Sequence, residues 1–120
     1  MDFEGHYCVT LNITSYGPSK ILKWDIYDAN KSKLFNNNVI ADDLKCAAFE
    51  AFYQIYQLFS RKYKPKFITM VTNWEWLIDQ VYKQKEKDAL ANYLLDLFIG
   101  INFVLVNVFD TEMINEFYSN

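Results

Sequence analysis

The sequence predicts a single α+β domain over residues 1–120, with a mixed sheet of about five strands and packed helices in the order β-β-β-α-β-α-α-β. Its 120 residues suffice to bury one core and are too few for a second. Its composition, 52% hydrophobic with only 3 Gly and 2 Pro, is that of a folded chain and excludes disordered and low-complexity classes. The apolar pattern has the period of strands at the start and of helices later.

The first third of the sequence predicts an antiparallel meander of three short strands. Tyr7–Ile13 is rich in β-branched and aromatic residues, and the segment 15–19, which contains Gly and Pro, ends it. A second strand follows over Ile21–Tyr27. The turn Asp28–Lys31 then leads back into a third strand over Leu34–Ile40.

A long helix follows, with Asp42 or Asp43 as its N-cap. Apolar residues then recur at steps of three and four: Leu44, Ala47, Ala48, Ala51, Phe52, Ile55, Leu58 and Phe59. The small alanines predict close packing against a sheet. The polar run 60–65 ends the helix with cations at its C-terminal dipole end.

The second half alternates between strands and helices. Phe67–Val71 is a continuous apolar run, as expected of a strand covered on both faces. Helical spacing over Trp74–Tyr82 predicts a short helix, and a charged linker separates it from a third helix that Gly100 stops. The last strand is expected over Ile101–Val108, and residues 111–117 predict one final helical turn.

The charge composition limits the partners. The net charge is −3, Arg61 is the one arginine among 12 basic residues, and Asn occurs 11 times, a bias that an AT-rich coding genome produces. A single Arg and a negative net charge argue against nucleic-acid recognition through bidentate arginine contacts to phosphates or to the edges of guanine bases. Weak phosphate binding by lysine clusters stays open.

Several other classes are also excluded. No apolar run approaches the roughly 18 residues of a membrane span, and the N-terminus is acidic, so we expect a soluble, cytoplasmic protein without membrane contact. Cys8 and Cys46 belong to no CxxC pair, which favours reduced thiols: Cys8 as a buried strand residue, and Cys46 as an ordinary cysteine or one whose pKa the helix dipole lowers. His6, the only histidine, is expected to be a solvated imidazole near the terminus. No nucleotide or zinc motif is present, so no cofactor is expected.

Two segments near the middle of the chain resemble the ribonuclease H family. Ala41–Phe52 is similar to the family's entry into its first helix, where a catalytic Glu lies, and Lys45 occupies that position. Ile68–Ile78 is similar to the strand that ends in Thr-Asp-Ser, with Asn73 in place of the Asp.

The two ends of the chain extend this resemblance. Asn12 takes the place of the catalytic Asp in the first strand's Asp-Gly-Ser, and Ser119 that of the last Asp in a terminal Asn-Glu-x-Ala-Asp. The resemblance therefore implies the family's fold with all four catalytic carboxylates replaced. Two-metal cleavage needs clustered anionic oxygen ligands, so it also implies a pseudoenzyme without a metal site. One alternative is that another carboxylate has moved into the site: Glu50, Glu75, Asp79, Asp110 or Glu112.

Aromatic and basic residues are the candidate binding groups. Trp74 and Trp76 lie two apart at a helix start, so one is a candidate exposed anchor, although neighbouring helices can also cover both. The other candidates are Tyr53, Tyr56 and Tyr63 on the long helix and its end, and Lys62, Lys64 and Lys66 after it. The lysines form either a basic, aromatic-interleaved nucleic-acid patch or ordinary solvated helix ends.

The sequence thus favours a noncatalytic, ribonuclease H-like protein-interaction module. Another protein is the expected partner, a homodimer is an alternative, and nucleic acid comes second. The composition also suits a viral or mobile-element inhibitor of host machinery. The competing hypotheses are a nucleic-acid-binding remnant and a cryptic metal-dependent nuclease.

Overall fold

The computed structural model describes residues 5–109, apart from the side chain of Tyr16. Its elements are β1 (His6–Tyr16), β2 (Ser19–Tyr27), β3 (Lys33–Ala41), α1 (Leu44–Arg61), β4 (Phe67–Thr72), α2 (Glu75–Tyr82), α3 (Ala89–Leu97) and β5 (Asn102–Asn107). The predicted element order is confirmed. The helical turn expected over 111–117 lies outside the described residues.

The strands form one mixed sheet in the order β3-β2-β1-β4-β5. β1, β2 and β3 pair antiparallel, as the meander predicts, and β1, β4 and β5 are parallel. The predicted turn at Asp28 is present, since its carboxylate accepts hydrogen bonds from the backbone N–H groups of Asn30 and Ser32, both at 2.9 Å. β3 continues through the three asparagines at 36–38, which lie opposite residues 25–23 of β2.

The main core lies between the sheet and the helices. Asp43 is the N-cap of α1, where its side chain accepts from the backbone N–H of Lys45. The alanines at 47, 48 and 51 are buried, so α1 packs closely on the sheet, as predicted. Leu77 of α2 and Leu90 of α3 are buried in the same cluster, which places buried residues of all three helices in one core.

The sheet is also buried on its second face around β1 and β4. Cys8 and Val71 form a separate buried cluster, against which Tyr27 and Val108 pack. Five of the six residues of β4 are buried, which confirms a strand covered on both faces. Cys8 is a buried strand residue, as expected.

His6 departs from its expected position as a solvated imidazole. It lies in β1, is half-buried, and packs edge-on against Phe67 with ring centroids 4.8 Å apart. Its Nε2 is 3.3 Å from Oγ1 of Thr69. Burial lowers the pKa of the imidazole. The pairing of β1 with β4 explains the difference, because it draws the start of the chain into the sheet.

The two edges of the sheet differ. On β5, the hydroxyl of Tyr82 accepts a hydrogen bond of 2.8 Å from the backbone N–H of Leu105. On β3, most residues are exposed, including Phe35 and Ile40. Across residues 5–109, no helix has both the length and the apolar character that crossing a membrane requires.

Candidate functional site

Asn73 closes the junction between β4 and β1. It follows the last residue of β4, where Thr72 is paired with Leu11. Its side-chain Oδ1 accepts from the backbone N–H of Ile13 at 2.9 Å, and its Nδ2 donates to the carbonyl of Ile13 at 3.1 Å. The amide therefore acts as one more peptide group in the ladder between the strands. A carboxylate at this position could make only the first of the two bonds, because it has no donor.

Lys45 is held in place by two other elements. Its Nζ lies 2.8 Å from Oδ1 of Asp88 and 4.9 Å from the ring centroid of Trp76. Asp88 is also the N-cap of α3, and its Oδ2 accepts from the backbone N–H of Leu90. The hydrogen bond from Lys45 and that from Leu90 lower the pKa of Asp88. Lys45 thus links the start of α1 to the starts of α2 and α3.

The two tryptophans pack on each other. The ring centroids of Trp74 and Trp76 are 5.1 Å apart with an interplanar angle of 27°. Both are half-buried, so each keeps part of its surface exposed. Lys45 approaches the ring of Trp76. We refer to Lys45, Trp74, Trp76 and Asp88 as the Lys45 cluster.

Three of the four positions named from the resemblance lie in the described part of the chain: Asn12, Lys45 and Asn73. Asn12 follows buried Leu11 on β1 and is partly buried, with its side chain on the other side of the strand. No hydrogen bond or ion pair joins Asn12, Lys45 and Asn73 to one another in the described part of the chain. Ser119 lies outside the described residues.

The carboxylates considered as replacements have other environments. Glu50 accepts from Nε2 of Gln54 at 3.1 Å, and Asp79 forms an ion pair of 3.2 Å with Lys83. Glu75 is exposed at the start of α2. Asp110 and Glu112 lie outside the described residues. Between residues 5 and 109, no three His, Cys, Asp or Glu side chains are grouped so that they could hold a metal ion.

Asp25 is a buried carboxylate that sequence reasoning missed. It lies on β2 opposite Thr10 of β1 and is only 5% exposed. Oγ1 of Thr10 donates to its Oδ2 at 2.9 Å, while Nζ of Lys33 lies 3.4 Å from its Oδ1. That contact is an ion pair without hydrogen-bond geometry, since Oδ1 has no hydrogen-bond partner. Asp25 raises the pKa of Lys33. The available signal was an acidic residue within an otherwise apolar strand.

The tyrosine candidates lie in two environments. Tyr53 and Tyr56 are exposed on the outer face of α1, at 45% and 36%. Tyr63 is half-buried against Tyr7 and Phe59, with ring centroids 5.6 Å and 6.3 Å away. Two of the three tyrosines are therefore available to a partner.

The lysine candidates lie in the segment between α1 and β4. Lys62, Lys64 and Lys66 are all exposed. Nζ of Lys62 is 5.7 Å from the ring centroid of Tyr63, so the basic and aromatic residues are interleaved here as the sequence suggests.

Cys46 is an ordinary exposed thiol. Its Sγ lies 3.5 Å from Oδ2 of Asp43, and this hydrogen bond and the negative charge of Asp43 raise its pKa. The alternative of a thiol activated by the helix dipole is therefore wrong, because the N-cap carboxylate acts in the opposite direction.

Comparison with known proteins gives a result only at the level of structure. No family model matches the chain, and no curated protein matches it in sequence. The RNase H1 of Halobacterium salinarum NRC-1 is 9% identical with a TM-score of 0.67, covering 90% of this chain and 89% of its own. The RNase H domain of a Mycobacterium tuberculosis protein is 10% identical with a TM-score of 0.66, covering 95% and 91%. LC11-RNase H1, solved with an RNA/DNA hybrid, is 17% identical with a TM-score of 0.63, covering 88% and 87%.

These likenesses agree with the sheet order and the helices described above. The chain has the ribonuclease H-like fold, an α+β architecture with a mixed five-stranded sheet. This confirms the fold resemblance that the sequence suggested. At such low identity the likeness concerns the fold alone.

Proposed function

We propose that this chain is a noncatalytic ribonuclease H-like domain that acts by binding another protein. The observation that carries the proposal is the Lys45 cluster, in which an ammonium is paired with Asp88 and placed against Trp76. The sequence resemblance aligns Lys45 with the family's catalytic Glu. A cation there repels divalent ions and supplies no ligand oxygen. The cluster instead joins three helices, which is a structural role.

Asn73 supports the same proposal from the neighbouring strand. Mg²⁺ is held by oxygen ligands with negative charge. The carbonyl oxygen of the Asn73 amide is neutral and already accepts from Ile13. The remaining lone pair of this oxygen would offer a divalent ion only a neutral ligand, without the negative charge that holds the ion.

The proposed partner surface lies on the outside of the helices. Tyr53 and Tyr56 are exposed on α1, and the ring of Tyr56 is 6.5 Å from that of Phe98, just after α3. The next residue, Ile99, is 81% exposed. We call Tyr53, Tyr56 and Ile99 the α1–α3 surface. Exposed tyrosines grouped with an apolar side chain are typical of protein interfaces.

The finer part of the proposal concerns origin. The Lys- and Asn-rich, Arg-poor composition suits an AT-rich genome, and a small acidic domain without catalytic charges suits a viral or mobile-element inhibitor that binds a host protein.

A cleavage assay tests the noncatalytic part. Purified protein is incubated with a labelled RNA/DNA hybrid and Mg²⁺ or Mn²⁺, with and without a chelator. We expect no chelator-sensitive cleavage. Cleavage that needs the metal and disappears in the Asn12→Ala/Asn73→Ala double variant would overturn the proposal, since it would place the activity in this chain.

Affinity capture tests the protein partner. The bait is the wild-type chain or Tyr53→Ser/Tyr56→Ser, and the extract comes from the organism that encodes the chain or from its host. The matched control is Phe109→Ser, which removes a side chain that is 78% exposed outside the α1–α3 surface. We expect one protein to be retained by the wild type and the control and lost with the tyrosine variant. Equal retention by all three baits would refute the surface assignment.

A nucleic-acid-binding remnant is the second candidate, favoured by the exposed lysines at 62, 64 and 66. It predicts hybrid binding that weakens steeply with salt, because each phosphate contact releases counterions. Replacing the three lysines with glutamine should then reduce the salt dependence.

A further inference from the structure

A groove of about 440 Å³ lies between α1 and the strands β2 and β3, and no residue of the Lys45 cluster or of the α1–α3 surface lines it. Its size is within the range of small-molecule sites, roughly 300–1,000 Å³. Of its lining residues, only Lys62 also belongs to the candidate binding groups considered above.

One wall of the groove offers a flat aromatic surface. Phe35 is 42% exposed and stacks on Trp24, with ring centroids 5.8 Å apart and an interplanar angle of 15°. Trp24 is fully buried, and its Nε1 donates to Oε1 of Gln54 at 3.1 Å. Phe35 is therefore backed by a fixed ring, and a planar ligand can stack on the groove side without having to order it.

The polar groups of the groove differ in their availability. Oε1 of Gln54 also accepts from Nδ2 of Asn37 at 3.0 Å, so these two groups are already hydrogen-bonded within the protein. The amide of Gln57 lines the groove and contacts only the hydroxyl of Tyr53, through its Nε2 at 2.9 Å. The carbonyl oxygen of Gln57 is left to accept from the edge of a ligand. Oδ1 of Asn37 accepts from the backbone N–H of Asn38 at 2.9 Å and keeps a second lone pair for the same purpose.

The end of α1 supplies the positive charge. Arg61 and Lys62 both line the groove and are exposed. Within residues 5–109, Arg61 makes no ion pair and no side-chain hydrogen bond. Its guanidinium, the only one in the chain, has the bidentate geometry that phosphate oxygens match.

We propose that this groove binds a nucleoside 5′-monophosphate group. The base stacks on Phe35, its polar edge meets the Asn37 and Gln57 amides, and the phosphate lies against Arg61 and Lys62. The same chemistry occurs in a free nucleotide and at the 5′-phosphorylated end of a strand. The charge complementarity favours an anion, because Arg61 lacks a carboxylate partner in the described chain although the protein carries a net charge of −3.

The test is calorimetric or NMR titration with AMP, GMP, CMP and UMP, and with adenosine as the ligand that lacks phosphate. We expect saturable binding of at least one nucleotide, at least fivefold tighter than that of adenosine if AMP binds. Arg61→Gln should weaken binding roughly tenfold, because it removes a charge-assisted contact. Phe35→Ala should weaken it by a similar factor through lost stacking.

Two controls make the result specific. Lys85→Gln removes an exposed cation outside the groove and should leave the affinity unchanged. A short oligonucleotide with a 5′-phosphate, compared with the same strand bearing a 5′-hydroxyl, distinguishes the two sources of the ligand: preference for the phosphorylated end over free nucleotide assigns the group to a strand. Absence of saturable binding to every probe overturns the proposal, as does equal loss with Lys85→Gln and Arg61→Gln.

Discussion

Placing an aspartate at position 73, where the sequence resemblance expects one, should destabilise this protein. In Asn73→Asp, Oδ1 can still accept from the backbone N–H of Ile13. The second carboxylate oxygen then faces the carbonyl oxygen of Ile13, where Nδ2 now donates at 3.1 Å. One hydrogen bond becomes a contact between two acceptors.

The size of the effect follows from the exposure of the site. A hydrogen bond contributes about 1 kcal/mol net, and less where water can replace it. The exposure of Asn73 reduces the contribution of the missing bond, and the new repulsion between two acceptor oxygens adds to the loss. Together we expect a loss of about 1.5 kcal/mol. With an unfolding entropy of about 2.1 cal/mol/K per residue over 120 residues, this loss corresponds to a Tm about 6 °C lower.

Urea unfolding at several pH values checks the reasoning. The loss should shrink below about pH 4, because a protonated carboxyl at position 73 regains a donor toward the carbonyl of Ile13. Asn102→Asp is the matched control, since Asn102 is exposed and its side chain makes no hydrogen bond in the described structure. The reasoning is refuted if Asn73→Asp is as stable as Asn102→Asp at pH 7, or if its loss of unfolding free energy does not change with pH. Either result would show that the two hydrogen bonds between Asn73 and Ile13 do not stabilise the contact of β4 with β1.

Three further predictions concern other contacts. Asp88→Asn should lower the Tm at pH 7. The pKa of Asp88 in the folded state lies below its ordinary value of 3.8, so the ionised carboxylate stabilises the fold above that pH, and this stabilisation is lost as the carboxylate is protonated. The Tm difference should therefore vanish as the pH falls below about 3.8, and an unchanged difference at low pH would contradict this. Burial lowers the pKa of His6, so the native state favours neutral imidazole and stability should fall below about pH 6.5; the slope should be smaller in His6→Gln, and equal slopes would exclude His6 as its source. Tyr82→Phe should cost about 1 kcal/mol in urea unfolding and speed hydrogen exchange at the Leu105 amide, whereas unchanged exchange would show that the hydroxyl does not protect it.

The elements were predictable because each carries a local signal. The alanines of α1 predict close packing on the sheet, and the continuous apolar run of β4 predicts a strand covered on both faces. Each pattern lies within a short window of sequence. The asparagines at 36–38 do not favour a strand locally, and pairing with β2 keeps them in β3. His6 was misjudged for the same reason, since only its pairing with β4 draws it into the sheet.

The candidate site was predictable only in part. Positions 12, 45 and 73 could be named from the resemblance, but the contacts that Lys45 and Asn73 make could not be predicted. Lys45 meets Asp88 across 43 positions of sequence, and Asn73 meets Ile13 across 60. No window of sequence contains both partners of such a contact. The buried Asp25 was missed because its partners lie on neighbouring strands.

The unequal sheet edges set a limit on self-association. Polymerisation by strand addition needs two receptive edges, so that every added copy offers a new template. Here the outward amide at the middle of β5 is already engaged by a tyrosine hydroxyl, whereas β3 is largely exposed. If two copies paired through their β3 strands, the exposed sheet edge of each copy would be covered. Growth would then end at the pair rather than continue into a fibre.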